Sequence, residues 1–323
     1  MHTHKPLLAA AAIAAAGPAN AVTVTHIATL RAQDATTSAD FGAAVAINAA
    51  ERVACVGAPR DPGGLGPGAL YTFHIDTQTQ IRKIIATDAT TTSTFGRAVQ
   101  YANTVAFAAS FNSTTLGTGA LYSFSNTTGA QIVLTNAGDT LPNDAFAFDI
   151  DHEPHNNTTI VGAPADDITF LNINERNAGS AYLFSGNTEL NKLVAPDFAA
   201  DDEFGSAVAI SAQTAIVGAP RDDDDADQDP DAGSAWLFDV ASANATFKLT
   251  PTPNNPDDPA APTNALSGFG SAVDIDADRA IVGAPTENLT LQALGPAHAP
   301  PPNTAPPLPP PTPPDPTPPT HLA

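Results

Sequence analysis

Cysteine is almost absent: Cys55 is the only one, so no intramolecular disulfide framework holds this chain. It lies in the apolar run Val53-Ala54-Cys55-Val56, where a small buried core residue is expected rather than a reactive thiol. Basic residues are also scarce. Only 12 Lys and Arg stand against 34 Asp and Glu, a formal net charge of -22, and such a surface repels phosphate backbones and anionic membranes. Nucleic acid is thereby excluded as an expected partner. Lys and Glu are few beside Gly, Pro, Ala, Thr and Asp, a balance that disfavours long helices and favours short strands and turns. Long hydrophobic runs are missing too. The apolar stretch Leu7 to Ala16 is about half the ~20 residues of a membrane span, so no span is expected. With His2, His4 and Lys5 before it and the small-residue site Ala19-Asn20-Ala21 after it, it reads as a secretory signal peptide, residues 1–21, cleaved after Ala21. A secreted or cell-surface protein is expected.

One pattern occurs five times, beginning at Phe41-Gly42, Phe95-Gly96, Phe146-Ala147, Phe204-Gly205 and Phe269-Gly270, with starts 54, 51, 58 and 65 residues apart. A second element follows each as Gly57-Ala58-Pro59, Ala108-Ala109-Ser110, Gly162-Ala163-Pro164, Gly218-Ala219-Pro220 and Gly283-Ala284-Pro285. A third closes four of the units, as in Gly68-Ala69-Leu70-Tyr71-Thr72-Phe73 and Gly233-Ser234-Ala235-Trp236-Leu237-Phe238.

The fourth unit shows what such a repeat predicts. Ala207 to Ile210 is a strand, Ser211 to Thr214 a turn, and Ala215 to Val217 a returning strand, apolar enough to be covered on both faces. Gly-Ala-Pro ends it, because Pro cannot donate to a ladder. Ser234 to Phe238 is a third strand and Phe247 to Thr250 a fourth. A four-stranded sheet of ~50 residues cannot bury both faces alone and must stack on its neighbours, as propeller blades do. The fold class is therefore all-β, a β-propeller of four-stranded blades with four complete repeats plus a partial fifth. It spans 22–290, ahead of a Pro-rich disordered tail at 291–323 with 14 prolines from Pro296 onward.

The phrase Phe204-Gly205-Ser206-Ala207-Val208, followed by Ile216-Val217-Gly218-Ala219-Pro220, resembles the FG-GAP repeat of integrin α-subunit propellers and their secreted bacterial relatives. The resemblance runs from about Thr25 to Pro285; the third unit loses its Gly to Ala147, and the second has Ala-Ala-Ser for Gly-Ala-Pro. It implies a wedge-like Phe between blades and, by analogy, a segment Val24 to Ala32 acting as a fourth strand. Family members commonly have seven blades, so the partial fifth unit here leaves an open blade edge and room for self-association.

In many members an Asp-x-Asp-x-Asp-Gly loop between Phe-Gly and Gly-Ala-Pro binds calcium, and two sets here approach that spacing. Asp274, Asp276 and Asp278 lack the Gly, as do Asp149, Asp151 and Glu153; both sets also read as solvent-facing strand and turn acids. A separate run, Asp222 to Asp231, offers Asp223, Asp225, Asp227, Asp229 and Asp231 as candidate calcium ligands, with a solvated charge run as the alternative. Asp61 and the pair Asp166-Asp167 occupy the same place in other units, which predicts one acidic rim.

Catalysis has little support. His152 and His155 stand in a stretch that reads as a loop, inner positions of the blades are expected to carry Ala, Val, Ile and Ser, and no nucleophile elbow, phosphate loop or dinucleotide fingerprint occurs. The expectation is a non-enzymatic extracellular binding or adhesion module presenting loops to a protein or glycan, with calcium as stiffener. A propeller hydrolase or lyase and a structural surface component remain the alternatives.

Overall fold

The computed structural model describes residues 29–285 except 35, 65, 91–92, 111–117, 171–172, 224–230, 252–266 and 278. The signal-peptide segment, the Pro-rich tail, and Asp225, Asp227, Asp229 and Asp278 lie outside the described residues, as does most of the segment Val24 to Ala32. Every described element is a strand, and four antiparallel four-stranded sheets follow one another along the chain.

Blade 1 consists of β1 (Val45–Asn48), β2 (Val53–Ala58), β3 (Ala69–His74) and β4 (Thr79–Ile84). Blade 2 comprises β5 (Val99–Ala102), β6 (Val105–Ser110), β7 (Ala120–Ser125) and β8 (Gln131–Thr135). In blade 3, β9 (Ile150–Glu153), β10 (Thr158–Ala163), β13 (Ser180–Ser185) and β14 (Thr188–Leu193) form the sheet. Its second and third strands are joined through a small hairpin, β11 (Ile168–Phe170) and β12 (Ile173–Glu175). Blade 4 has β15 (Ala207–Ser211), β16 (Thr214–Ala219), β17 (Ser234–Asp239) and β18 (Asn244–Leu249). The fifth unit contributes β19 (Ala272–Asp276) and β20 (Arg279–Gly283).

Each complete sheet runs in chain order, the outcome expected when short polar turns join apolar strands. All four carry a register shift at one place in the third strand, at Thr72/Phe73, Ser123/Phe124, Leu183/Phe184 and Leu237/Phe238. A bulge repeated at the same position marks the sheets as copies of one unit and adds local twist.

Two sequence expectations change. The second strands run through the Gly-Ala step and end at Ala58, Ala163 and Ala219, one residue before the Pro, because the glycine itself pairs with the third strand. In blade 2 the residue paired like Gly57, Gly162 and Gly218 is Ala109, opposite Leu121, so the element there starts one residue later than the Ala108-Ala109-Ser110 expected from the repeat.

The core lies between the sheets. Leu70 and Ile84 of blade 1 join Phe95, Val99, Tyr101, Tyr122 and Phe124 of blade 2 in one buried cluster, and Ile160, Ala181 and Leu183 of blade 3 join Phe204, Val208 and Ile210 of blade 4 in another. The recurring Phe sits edge-on to aromatics of its own third strand, with Phe95 5.3 Å from Tyr122 and Phe204 5.9 Å from Phe238. Within each unit's first strand, side chains alternate between neighbours. Those four and six positions after the Phe face the preceding blade, and the one five positions after faces the following blade, as Ala209 does among Phe269, Ile275 and Val282.

Candidate functional site

The first strands β1, β5, β9, β15 and β19 pack in that order around a cavity of about 740 Å³, which all five line. Where small and apolar residues are expected at inner positions, the structure also brings Arg97, Asp149, Asp151 and Asp274 to this cavity. The guanidinium of Arg97 lies 4.1 Å from the centre of the Phe148 ring, and burial lowers its pKa.

The two internal acids are committed to backbone. Asp149 Oδ2 accepts from Val208 N at 2.9 Å and Asp151 Oδ2 from Ile210 N at 2.8 Å, while Glu153 Oε2 accepts from Ala212 N at 2.7 Å. Alternating acids on β9 and just before it thus satisfy the outward amides along β15 and the residue after it, at the edge of the next sheet. They are neither a calcium loop nor a solvent face. Burial pushes the Asp149 carboxyl up to about 6, partly offset by the hydrogen bond from Val208 N, and raises Asp151 as well.

The stretch read as a loop is strand up to Glu153. His152 is buried within it, stacks on Phe107 of blade 2 at 4.5 Å and contacts Thr159 Oγ1 at 2.9 Å. Burial lowers its pKa. His155 instead stands in solvent and pairs with Glu153 at 2.7 Å.

The acidic rim is overturned at three of its expected positions, while Asp167 and Asp223 beside them stay exposed. Asp61, Asp166 and Asp222 are 1%, 5% and 5% exposed, and each is closed under a lysine. Lys192 Nζ lies 2.7 Å from Asp166 and 2.8 Å from Asp139, over the ring of Tyr182, whose hydroxyl donates to both acids at 2.9 Å. Blade 1 repeats the arrangement with Lys83, Asp61, Asp34 and Tyr71, and blade 4 with Lys248, Asp222, Asp197 and Trp236. Burial would lower the Lys192 ammonium, but its hydrogen bonds to Asp139 and Asp166 outweigh this and hold it above its usual value. In blade 2 Tyr122 donates to Asp88 at 2.9 Å, and Leu134 stands at the lysine's place in register.

The sequence did carry a signal for this network. Asp34, Asp88, Asp139 and Asp197 each stand seven residues before the repeat Phe, Asp61, Asp166 and Asp222 each two after the Pro, and three of the four lysines fall on fourth strands.

Of the candidate calcium ligands in the Asp222 to Asp231 run, Asp223 and Asp231 are described. Asp231 N donates to Asp223 Oδ1 at 2.8 Å, tying the ends of the acidic loop together. Asp274 and Asp276 stand exposed on β19, five and seven residues after Phe269, the places of Asp151 and Glu153 after Phe146. No group of three His, Cys, Asp or Glu disposed to hold a metal occurs among the described residues. Cys55 is buried, its thiol pushed up to about 12 by desolvation. Among the described residues no helix is long and apolar enough to cross a membrane.

Sheets of four antiparallel strands, repeated with one bulge, three of them with one lysine network, and stacked through their flat faces, define a propeller-like repeat protein. Residues 188–238 match the family model described as FG-GAP repeat. The matched segment starts on β14 and ends on β17, so the sequence repeat takes the fourth strand of one sheet with the first three of the next. No curated protein matches the chain.

Proposed function

We propose that this chain is an extracellular binding or adhesion module that presents its blade-top loops to a protein or glycan partner. The observation that carries the reading is the contrast between a constant blade body and a variable connection from second to third strand. In three blades the body spends its lysine and two of its aspartates on one internal network. The connection is a ten-residue loop after Ala58 in blade 1, carries the β11–β12 hairpin in blade 3, and holds the acidic run in blade 4. Antiparallel topology places all of these connections at one end of the blades. FG-GAP repeats are typical of extracellular proteins, which agrees with export through residues 1–21. Calcium enters the reading as a stiffener of the Asp223 to Asp231 loop. Of the four acids that line the cavity, Asp149 and Asp151 accept backbone amides, which favours binding over a hydrolase or lyase.

The test is retention of labelled chain on a glycan array and on immobilised extracellular proteins. Saturable binding to one class is expected, weakened when residues 168–175 are replaced by a Gly-Ser link. Absence of any saturable binding, or turnover of a bound glycan, would overturn the reading.

A further inference from the structure

We propose that the chain carries both halves of one blade junction at its two ends, and that these halves bind a second copy of the chain head to tail. The junction between blades 3 and 4 shows what the halves are. Asp151 and Glu153 on β9 accept the amides of Ile210 and Ala212, six and eight residues after Phe204, and Ile160 on β10 packs with the side chains of Val208 and Ile210. The same rule recurs between blades 4 and 5, where Ser211 Oγ, seven residues after Phe204, accepts from Ala277 N, eight residues after Phe269.

The fifth unit repeats the acceptor half. Asp274 and Asp276 occupy the places of Asp151 and Glu153, and Ile281, two residues before Gly283, occupies the place of Ile160, two before Gly162. Ile160 is fully buried, whereas Ile281 is 49% exposed. Blade 1 repeats the donor half. Val45 and Ile47 stand four and six residues after Phe41, as Val208 and Ile210 do after Phe204, and the amides of Ile47 and Ala49 fall where those of Ile210 and Ala212 fall. Val208 and Ile210 are buried at 3% and 4%; Val45 and Ile47 are each 68% exposed.

Among the described residues of one chain these faces do not pack as the other junctions do. Each of the other successive pairs of first strands packs together, but β19 and β1 do not pack to a comparable extent, although both line the cavity. The occupant of the blade 5 face must offer an outward strand edge with β-branched side chains at alternate positions, and the chain displays that edge on its own first blade, unpartnered among the described residues. Faces that are complementary but not identical make a heterologous contact, which adds subunits in one direction until a ring closes or a filament grows.

Sedimentation of the full chain over a concentration series tests this. The wild type should rise above monomer mass, and V45D/I47D and I281D should each remain monomeric. A mixture of the two variants should form a 1:1 dimer and nothing larger, because each retains the half that the other has lost. V45D, I47D and I281D change exposed side chains, so folded variants are expected, with unchanged circular dichroism. A wild type that stays monomeric at all concentrations, through closure on itself or through covering of the faces by another segment of the chain, would overturn the proposal. So would variants that still associate. Loss of partner binding in the array experiment with association intact would count against the functional reading alone.

Discussion

A Cβ built on Gly162 would stand 2.0 Å from the carbonyl oxygen of Gly205, so the glycine of one repeat's Gly-Ala-Pro lies directly against the glycine of the next repeat's Phe-Gly. Gly57 meets Gly96 and Gly218 meets Gly270 in the same way, at 1.8 and 2.0 Å. The two halves of the motif are thus the two sides of one junction between sheets. Gly205 and Gly270 also hold φ values of 96° and 95°, which favour glycine.

The two departures from the motif fall on a single junction. Ala109 replaces the glycine on the blade 2 side and Ala147 on the blade 3 side, both fully buried in one cluster, with Ala147 held at φ 63°. We expect Gly162→Ala to cost about 1–3 kcal/mol, as overpacking against rigid backbone does. Ala109→Gly should cost less than about 1 kcal/mol, since its junction already accommodates a methyl group. Urea unfolding of the two variants checks this; equal losses would mean that the glycine contact does not set sheet spacing.

Breaking one lysine bridge should be more damaging. Lys192→Met leaves Asp166, 5% exposed, facing Asp139 with only hydroxyl donors from Tyr182 and Ser180. A loss of about 3 kcal/mol is expected, the low end for removing one member of a buried ion pair. Adding Asp166→Asn should recover part of it. A double-mutant cycle in urea measures the coupling, and additive losses would show that the lysine acts by packing alone.

The repeat, the strand order and the place of each sheet were legible in the sequence because Phe-Gly, Gly-Ala-Pro and the aromatic third strand recur in fixed order. The roles of the acids were not. Asp61, Asp166 and Asp222 follow a turn and read as solvated, since nothing local shows that a lysine some 22 to 26 residues downstream returns on the fourth strand to cover them. Asp149, Asp151 and Glu153 alternate like a wet strand face, but that face looks onto the edge of the next sheet, whose amides need acceptors.

Calcium should raise the melting temperature more than magnesium at equal ionic strength, with an affinity of about 10⁻⁴ to 10⁻³ M for a loop without a turn-forming glycine. The magnesium arm removes general screening of a chain of net charge -22. D225N/D227N should abolish the difference while sparing the Asp223 bond to Asp231 N. Equal stabilisation by both cations would reduce the loop to a solvated charge run.

Asp202, two residues before Phe204, is 4% exposed, and its Oδ2 accepts from Ala199 N at 2.7 Å. Burial, aided by the nearby charges of Asp222, Asp197 and Asp223, pushes its carboxyl up to about 7. An unfolded aspartate titrates near 3.9, so between about pH 4 and 7 the folded state binds the extra proton. Its contribution therefore favours folding at low pH and is lost as the pH rises through 7. Asp144 and Asp149, each pushed up to about 6 chiefly by burial, act in the same direction, so only the difference between variant and wild type isolates one group. Asp202→Asn keeps an oxygen for Ala199 N and removes the charge. At pH 8 the variant should melt higher than the wild type by about 2–4 °C, the shift that ~1 kcal/mol produces in a domain of this size. At pH 4, where the wild-type carboxyl is protonated in the fold, the two should coincide. Melting curves that keep the same separation at both pH values would show that Asp202 does not carry its proton in the folded state.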